Sequence, residues 1–269
     1  MRNLVDTNSR ISTQEVAERL NVDRSTAFRH LKKLGYGLKL DVWVPLNLTE
    51  KNKMDRVFTA NCLLDRLKTD PFLDRLVTGG EKWIQYDNVE RKRTWKQTNE
   101  SDQPLPQTGL HPQKAILFVW WDCKGIIFYE LLLISEAINF DKYCQQLDNL
   151  KKAIKEKRPI LAKQKNIVFH YDNTRPHTSM QIQCKLKELK WDLLLHPPYS
   201  PDIVPSDYHL FRSLQKSLNN RKFTSFHNLQ NYISSFFDEK PATFYEKGIQ
   251  MLPDQWRKIV ENNGNYLIE

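Results

Sequence analysis

Two aspartates carry the strongest chemical signal in this 269-residue chain. Asp172 follows the apolar run Ile167-Val168-Phe169-His170-Tyr171, where a buried strand gives way to an Asp-Asn turn. Asp207 follows Pro205-Ser206, which breaks the chain, and stands where a helix opens. A strand-end carboxylate and a helix-start carboxylate can converge on one Mg²⁺, the hard-oxygen arrangement that phosphodiester chemistry needs. Taken singly, each has a plainer reading, as a turn residue or a helix cap.

The residues around them decide between these readings. His170-Tyr171-Asp172-Asn173-Thr174-Arg175-Pro176-His177, His196-Pro197-Pro198-Tyr199-Ser200-Pro201-Asp202 and Pro205-Ser206-Asp207-Tyr208-His209-Leu210-Phe211 follow one another in order. Upstream stand Trp43-Val44-Pro45, Val77-Thr78-Gly79 with Glu81-Lys82-Trp83, and Trp120-Trp121-Asp122. In these segments the chain resembles the mariner-type transposases of the Tc/mariner superfamily. The resemblance implies an α/β fold, with an RNase H-like catalytic domain preceded by a small all-α helix-turn-helix. It implies metal-dependent cleavage and transfer of DNA strands, with Asp172 and Asp207 as catalytic residues ligating Mg²⁺ (or Mn²⁺). It also implies double-stranded DNA as partner, transposon terminal repeats in particular, a homodimer, and a nuclear location. The chain further resembles the transposase half of a SET methyltransferase–mariner fusion; it has no SET segment, and no methyltransferase activity is expected.

One position departs from the family. Where these enzymes carry their first catalytic acid in a Thr-Gly-Asp-Glu-Lys-Trp segment, this chain reads Thr78-Gly79-Gly80-Glu81-Lys82-Trp83. Gly80 marks the vacated acid position, and cleavage is expected to be impaired while the fold persists. Two neighbours are conceivable substitutes. Glu81 follows Gly80 on a strand, so its side chain is expected to look away from the metal face. Asp122, before Lys124-Gly125, reads as a strand-end turn residue. The alternative function is a non-catalytic DNA-binding relic or a domesticated repressor.

Composition suits a polyanion binder: 41 Lys plus Arg against 32 Asp plus Glu give a net charge of +9. Cys62, Cys123, Cys144 and Cys184 form no Cys-x-x-Cys pair, which leaves neither a zinc knuckle nor a disulfide framework. No stretch approaches the roughly twenty apolar residues of a membrane span, so no membrane partner is expected. The eight glycines do not cluster into a phosphate-binding loop.

These residues are positioned by two regions, residues 1–35 as a truncated helix-turn-helix and 49–269 as the catalytic domain, joined by a linker over 36–48. In the first, Ser12-Thr13-Gln14-Glu15 is a capping box, and Val16, Ala17 and Leu20 form an apolar stripe. Asn21-Val22 makes the turn, Asp23 caps the next helix, and Phe28, Leu31 and Leu34 repeat at helical spacing. Arg24, Ser25, Thr26, Arg29, His30, Lys32 and Lys33 are the candidate DNA-binding residues of that second helix. Arg91, Lys92 and Arg93, with Trp95, are a second candidate DNA contact. A helix is expected over 49–67, strands over 76–86, 94–97, 115–121, 126–134 and 166–171, and helices over 140–156, 179–189 and 207–219. The polar stretch 98–112, by resemblance, reaches a partner subunit. In the tail, Phe236, Phe237, Phe244, Tyr245, Ile249, Leu252 and Trp256 repeat at helical intervals, as core packing does.

Overall fold

A computed structural model describes residues 13–34, 47–86, 113–133, 140–164, 166–172 and 180–267. The chain divides into two compact units, Met1–Val44 and Pro45–Glu269. In the first, α1 (Thr13–Arg19) and α2 (Arg24–Lys33) are joined by a turn in which Asn21 takes φ 51°, the left-handed region that asparagine tolerates. Asp23 caps α2 by accepting a 2.7 Å hydrogen bond from the Ser25 backbone N–H. The buried contacts are Val16, Ala17 and Ala27. Phe28 was expected on the apolar stripe, but is 39% exposed, with the Lys32 ammonium 5.1 Å from its ring centroid. Ala27 takes the buried face of α2, and Phe28, one residue on, is turned about 100° around the helix from it. The expected Ser12 cap lies outside the described residues.

The larger unit opens with α3 (Glu50–Thr69), where Thr49 and Asn52 exchange side-chain and backbone hydrogen bonds in a capping box. Five strands follow in sequence: β1 (Leu76–Gln85), β2 (Lys114–Asp122), β3 (Gly125–Leu133), β4 (Val168–His170) and β5 (Asp192–Leu193). They form one sheet in the order β3-β2-β1-β4-β5. β1 to β3 are antiparallel neighbours, and β4 and β5 are added parallel to β1.

Both sheet faces are covered, which is why β2 is buried along its length rather than alternating. On one face Val77, Ile116, Phe118 and Trp120 pack against α4 (Phe140–Lys157) and α6 (Met180–Leu189) through Tyr143, Leu147, Leu150 and Ile182. The short α5 (Pro159–Gln164) adds Leu161 to that core. On the other face Leu76, Leu117, Val119 and Trp121 meet α7 (Arg212–Leu218), α8 (Phe226–Asp238), α9 (Ala242–Gln250) and α10 (Leu252–Glu261). The tail aromatics Phe236, Phe237, Tyr245 and Trp256 are buried there, as their spacing predicted. The result is a three-layer RNase H-like α/β domain.

Some elements differ from expectation. The helix expected over 207–219 begins instead as a π-turn, Ser206–Phe211, before α7. Strand β4 spans three residues of the expected six, and β5 and α5 have too few residues for a periodicity to register. The expected strand at 94–97 and the stretch 98–112 lie outside the described residues.

Candidate active site

The parallel pairing of β1 and β4 sets the centre of the site. Thr78 is the register partner of His170, an offset of 92 positions. Carried two residues further, that register places Asp172 beside Gly80. Asp207 comes from the π-turn that packs over the same sheet face as position 80. The three positions that the sequence grouped therefore meet on one face of the sheet, just past the end of β4, although only two of them carry acids. A Cβ at Gly80 would lie 3.0 Å from Ser206 Cβ and 3.2 Å from Phe211 Cε2, so position 80 points at the turn bearing Asp207.

The electrostatics agree with that convergence. The Asp207 carboxyl is pushed up to about 7, first by burial, then by the negative charges of Asp172 and Glu81, with Lys82 opposing. Burial lowers the Lys82 ammonium, and Asp207 opposes that shift. A buried acid whose proton affinity is raised by a neighbouring carboxylate forms with it a hard-oxygen pair that a divalent cation would relieve. Among the described residues, no three His, Cys, Asp or Glu side chains come close enough to hold one ion together.

The two substitute acids fare differently. Asp122 is 2% exposed and engaged by Arg158, whose Nε donates to Oδ2 at 2.7 Å and whose Nη2 donates to Oδ1 at 2.9 Å. Its Oδ1 also accepts the Lys124 N–H at 2.9 Å, closing the strand-end turn. It is structurally committed. Glu81 was expected to look away from the acids. Its place on β1 does set it on the Tyr143 side of the sheet, where with burial it raises the Tyr143 hydroxyl well above its usual range. Its charge nevertheless reaches Asp207, because it also lines the open cleft of about 680 Å³ that contains Lys82, Trp83, Asp207, Arg212 and Lys216. Alternation along a strand fixes the direction in which a side chain leaves the backbone; a three-carbon side chain lining the same cleft still lies within electrostatic range.

Beneath Asp172 lies a neutral imidazole pair that the sequence reading missed. His170 Nε2 lies 3.2 Å from His196 Nδ1, and His170 Nδ1 lies 3.3 Å from Thr78 Oγ1. Burial holds His170 down to about 3 and His196 down to about 4, against the pull of Asp172. Both rings are therefore uncharged at neutral pH and serve as hydrogen-bonding packing. The loop before Asp207 is fixed by another buried group. Arg56, fully buried, donates from Nη1 to Ser200 Oγ at 2.6 Å and makes a two-pronged pair with Asp202 at 2.9 and 2.6 Å. The π-turn itself is held by Trp121, whose indole N–H donates to Ser206 Oγ at 3.0 Å. Nothing in the sequence linked position 56 to position 202, 146 residues away.

On α2 the candidate DNA residues Arg24, Ser25, Arg29, His30, Lys32 and Lys33 are exposed, and Thr26 is half-buried. Arg91, Lys92 and Arg93, like His177, lie outside the described residues.

Comparison with known proteins identifies what this arrangement is. Residues 85–164 match the family described as transposase (partial DDE domain), and residues 3–35 match a winged helix-turn-helix DNA-binding family. The fold is thus that of a DNA transposase. Over 265 residues the chain is 37% identical to the Mariner Mos1 transposase of Drosophila mauritiana, covering 98% of this chain and 77% of that protein. The chain belongs to the mariner transposase family. It is also 38% identical over 266 residues to the histone-lysine N-methyltransferase SETMAR of Homo sapiens, covering 99% of this chain; the match spans only 39% of that protein's length. Among solved structures, a pre-cleavage Mos1 transpososome superposes with a TM-score of 0.89 at 35% identity, over 99% of this chain and 78% of that one. A Mos1 paired-end complex with Mn gives 0.89 at 36%, with the same coverages, and the isolated Mos1 catalytic domain 0.72 at 38%, over 84% of this chain and all of that one.

Proposed function

We propose that this chain is a mariner transposase that binds duplex DNA through α2 and whose strand-cleaving chemistry is impaired by the loss of one acid. The single observation that carries the reading is the geometry at position 80: a glycine two residues past the Thr78–His170 pair, on the line that leads to Asp172, points at the turn bearing Asp207, where a third carboxylate belongs. Asp172 and Asp207 are the residues that would hold the divalent metal, Mg²⁺ or Mn²⁺. When bound, such an ion lowers the pKa of an attacking water and neutralises charge on the leaving oxygen. The chain's own part is to bring the scissile phosphodiester to the cleft: Arg212 and Lys216 on α7 offer charge to its phosphates, and Lys82 lies beside Asp207. With two acids rather than three, the electrostatic stabilisation that such sites supply is incomplete.

Transposon ends are the DNA this reading assigns, because Mos1 structures similar to this chain are complexes with such ends. Paired-end complexes of that kind support a dimer, and DNA as the substrate supports a nuclear location. The second reading, a DNA-binding protein that no longer cleaves, is favoured by the same glycine. One experiment separates them. Purified chain and its Gly80→Asp variant are incubated with end-containing DNA and Mg²⁺ or Mn²⁺, and nicking is followed on a gel. Nicking that appears only in the variant, and is lost again on adding Asp172→Asn, supports the impaired transposase. Efficient nicking by the unaltered chain defeats the impairment, and silence from both proteins leaves the DNA-binding reading standing.

A further inference from the structure

A second cluster of unbalanced charge lies at the other end of the parallel strands. Lys151 and Lys155 on α4 and Lys190 just beyond α6 rim a pocket of about 330 Å³ whose floor is Ile154, Ile167 and Trp191. Among the described residues, none of these three lysines forms an ion pair with a carboxylate. The acid on the same rim, Glu188, is held by Lys185 at 3.2 Å. Glu156 follows Lys155 by one residue, and is therefore turned about 100° around the helix from it. Lys151 and Lys155 are four apart on one helix face, a like-charge spacing that disfavours the free helix. Lys190 takes φ 55°, an unusual backbone state for a lysine, which carries the chain out of α6 towards β5. The pocket lies away from the carboxylate cleft: Ile167 and Asp172 are at opposite ends of the β4 passage, about 16 Å of extended chain apart.

Lysines of this kind are flexible point charges without the planar fork that reads base edges, so they suit phosphates rather than sequence. The apolar floor gives their stems a surface to lie on, and a concave low-dielectric wall concentrates the field of their heads. We infer that the face between α4, α6 and the β4–β5 edge is a second DNA-binding surface, which grips phosphodiester backbone independently of sequence and outside the carboxylate cleft. This rests on the reading of the chain as a DNA-handling protein.

The test compares three forms of the full chain by fluorescence anisotropy on a random-sequence duplex, without divalent metal, over a salt series. The first is the unaltered chain, and the second carries Lys151→Gln, Lys155→Gln and Lys190→Gln. The third carries Lys51→Gln, Lys124→Gln and Lys247→Gln, exposed positions elsewhere that remove the same net charge. If each pocket lysine meets a phosphate, the second form loses about 2 to 3 from the slope of log affinity against log salt, and binds about 10- to 100-fold more weakly. The third form should keep most of its slope, and a Lys→Arg version of the pocket triple should bind like the unaltered chain. Equal losses in the second and third forms, or an unchanged slope in the second, overturn the proposal while leaving α2 as the DNA contact. An unaltered chain that does not bind duplex DNA overturns the DNA-handling reading, and this surface with it. Circular dichroism melts confirm that all three forms are folded.

Discussion

Gly80 and Ser206 stand so close that a Cβ on the glycine would lie 3.0 Å from the serine Cβ. Ser206 is the residue before Asp207, and its hydroxyl is held by the Trp121 indole. The surroundings of the missing acid are therefore tight, with Phe211 on a second side at 3.2 Å. An acid restored at position 80 requires these neighbours to give by a few tenths of an ångström.

This contact sets the expectation for Gly80→Asp. The variant should bind Mn²⁺ at least 10-fold more tightly than the unaltered chain by isothermal titration, since a third carboxylate joins Asp172 and Asp207. Its apo form should be destabilised by about 1–3 kcal/mol through crowding and a third like charge. Tighter metal binding alongside unchanged apo stability would show that the turn yields freely, and unchanged metal affinity would show that position 80 does not face the acids.

Asp207 should make stability fall as pH rises. Its folded carboxyl titrates at about 7 against an ordinary value of 3.8, so the folded state keeps a proton that the unfolded chain has released. Stability is full below about 4 and is lost progressively up to about 7, by at most about 1.4 kcal/mol per pH unit. Asp207→Asn should match the unaltered chain in melting temperature near pH 4 and exceed it near pH 8. A divalent cation needs the deprotonated acid, so its affinity should climb over the same interval. Melting curves that run parallel for the two proteins from pH 4 to 8 would contradict the assignment.

Arg56 and Asp202 form a buried pair that ties α3 to the loop before Asp207, and Arg56 Nε also donates to Gly264 O at 2.8 Å. Gly264 takes φ 77°, and a Cβ there would meet Lys53 O at 2.3 Å, so only glycine allows that carbonyl its approach. Arg56→Ala leaves Asp202 without its cation, with only the Leu267 N–H still donating to it at 3.0 Å, and should cost about 3–5 kcal/mol in urea unfolding. A loss under 1 kcal/mol would mean that the loop is held by other contacts.

On α2, Arg29→Ala combined with Lys33→Ala should weaken duplex binding by about 1–3 kcal/mol, if that exposed face enters a groove. Anisotropy titrations at fixed salt measure it, and an unchanged affinity would remove the helix from the DNA surface. Lys33→Ala alone should lower affinity equally for all duplex sequences, as a phosphate contact does.

Local order in the sequence determined much of this protein. The helices at 24–33 and 50–69, the buried strands of the sheet and the helical tail were legible because each follows from a 3.6-residue repeat, a continuous apolar run of strand length, or a capping side chain within a few positions. The offset of 92 between positions 80 and 172 was legible as well, since a parallel register preserves sequence separation along both strands. Tertiary structure alone decided the rest. Only the packing around β1 let Glu81 share the Asp207 cleft, only the partnership with Arg158 withdrew Asp122 from it, and only the fold joined Arg56 to Asp202 across 146 positions. Each of these depends on side chains far apart in the chain competing for one desolvated space. The pairing that wins there is set by burial and by the charges brought alongside, neither of which a local repeat encodes.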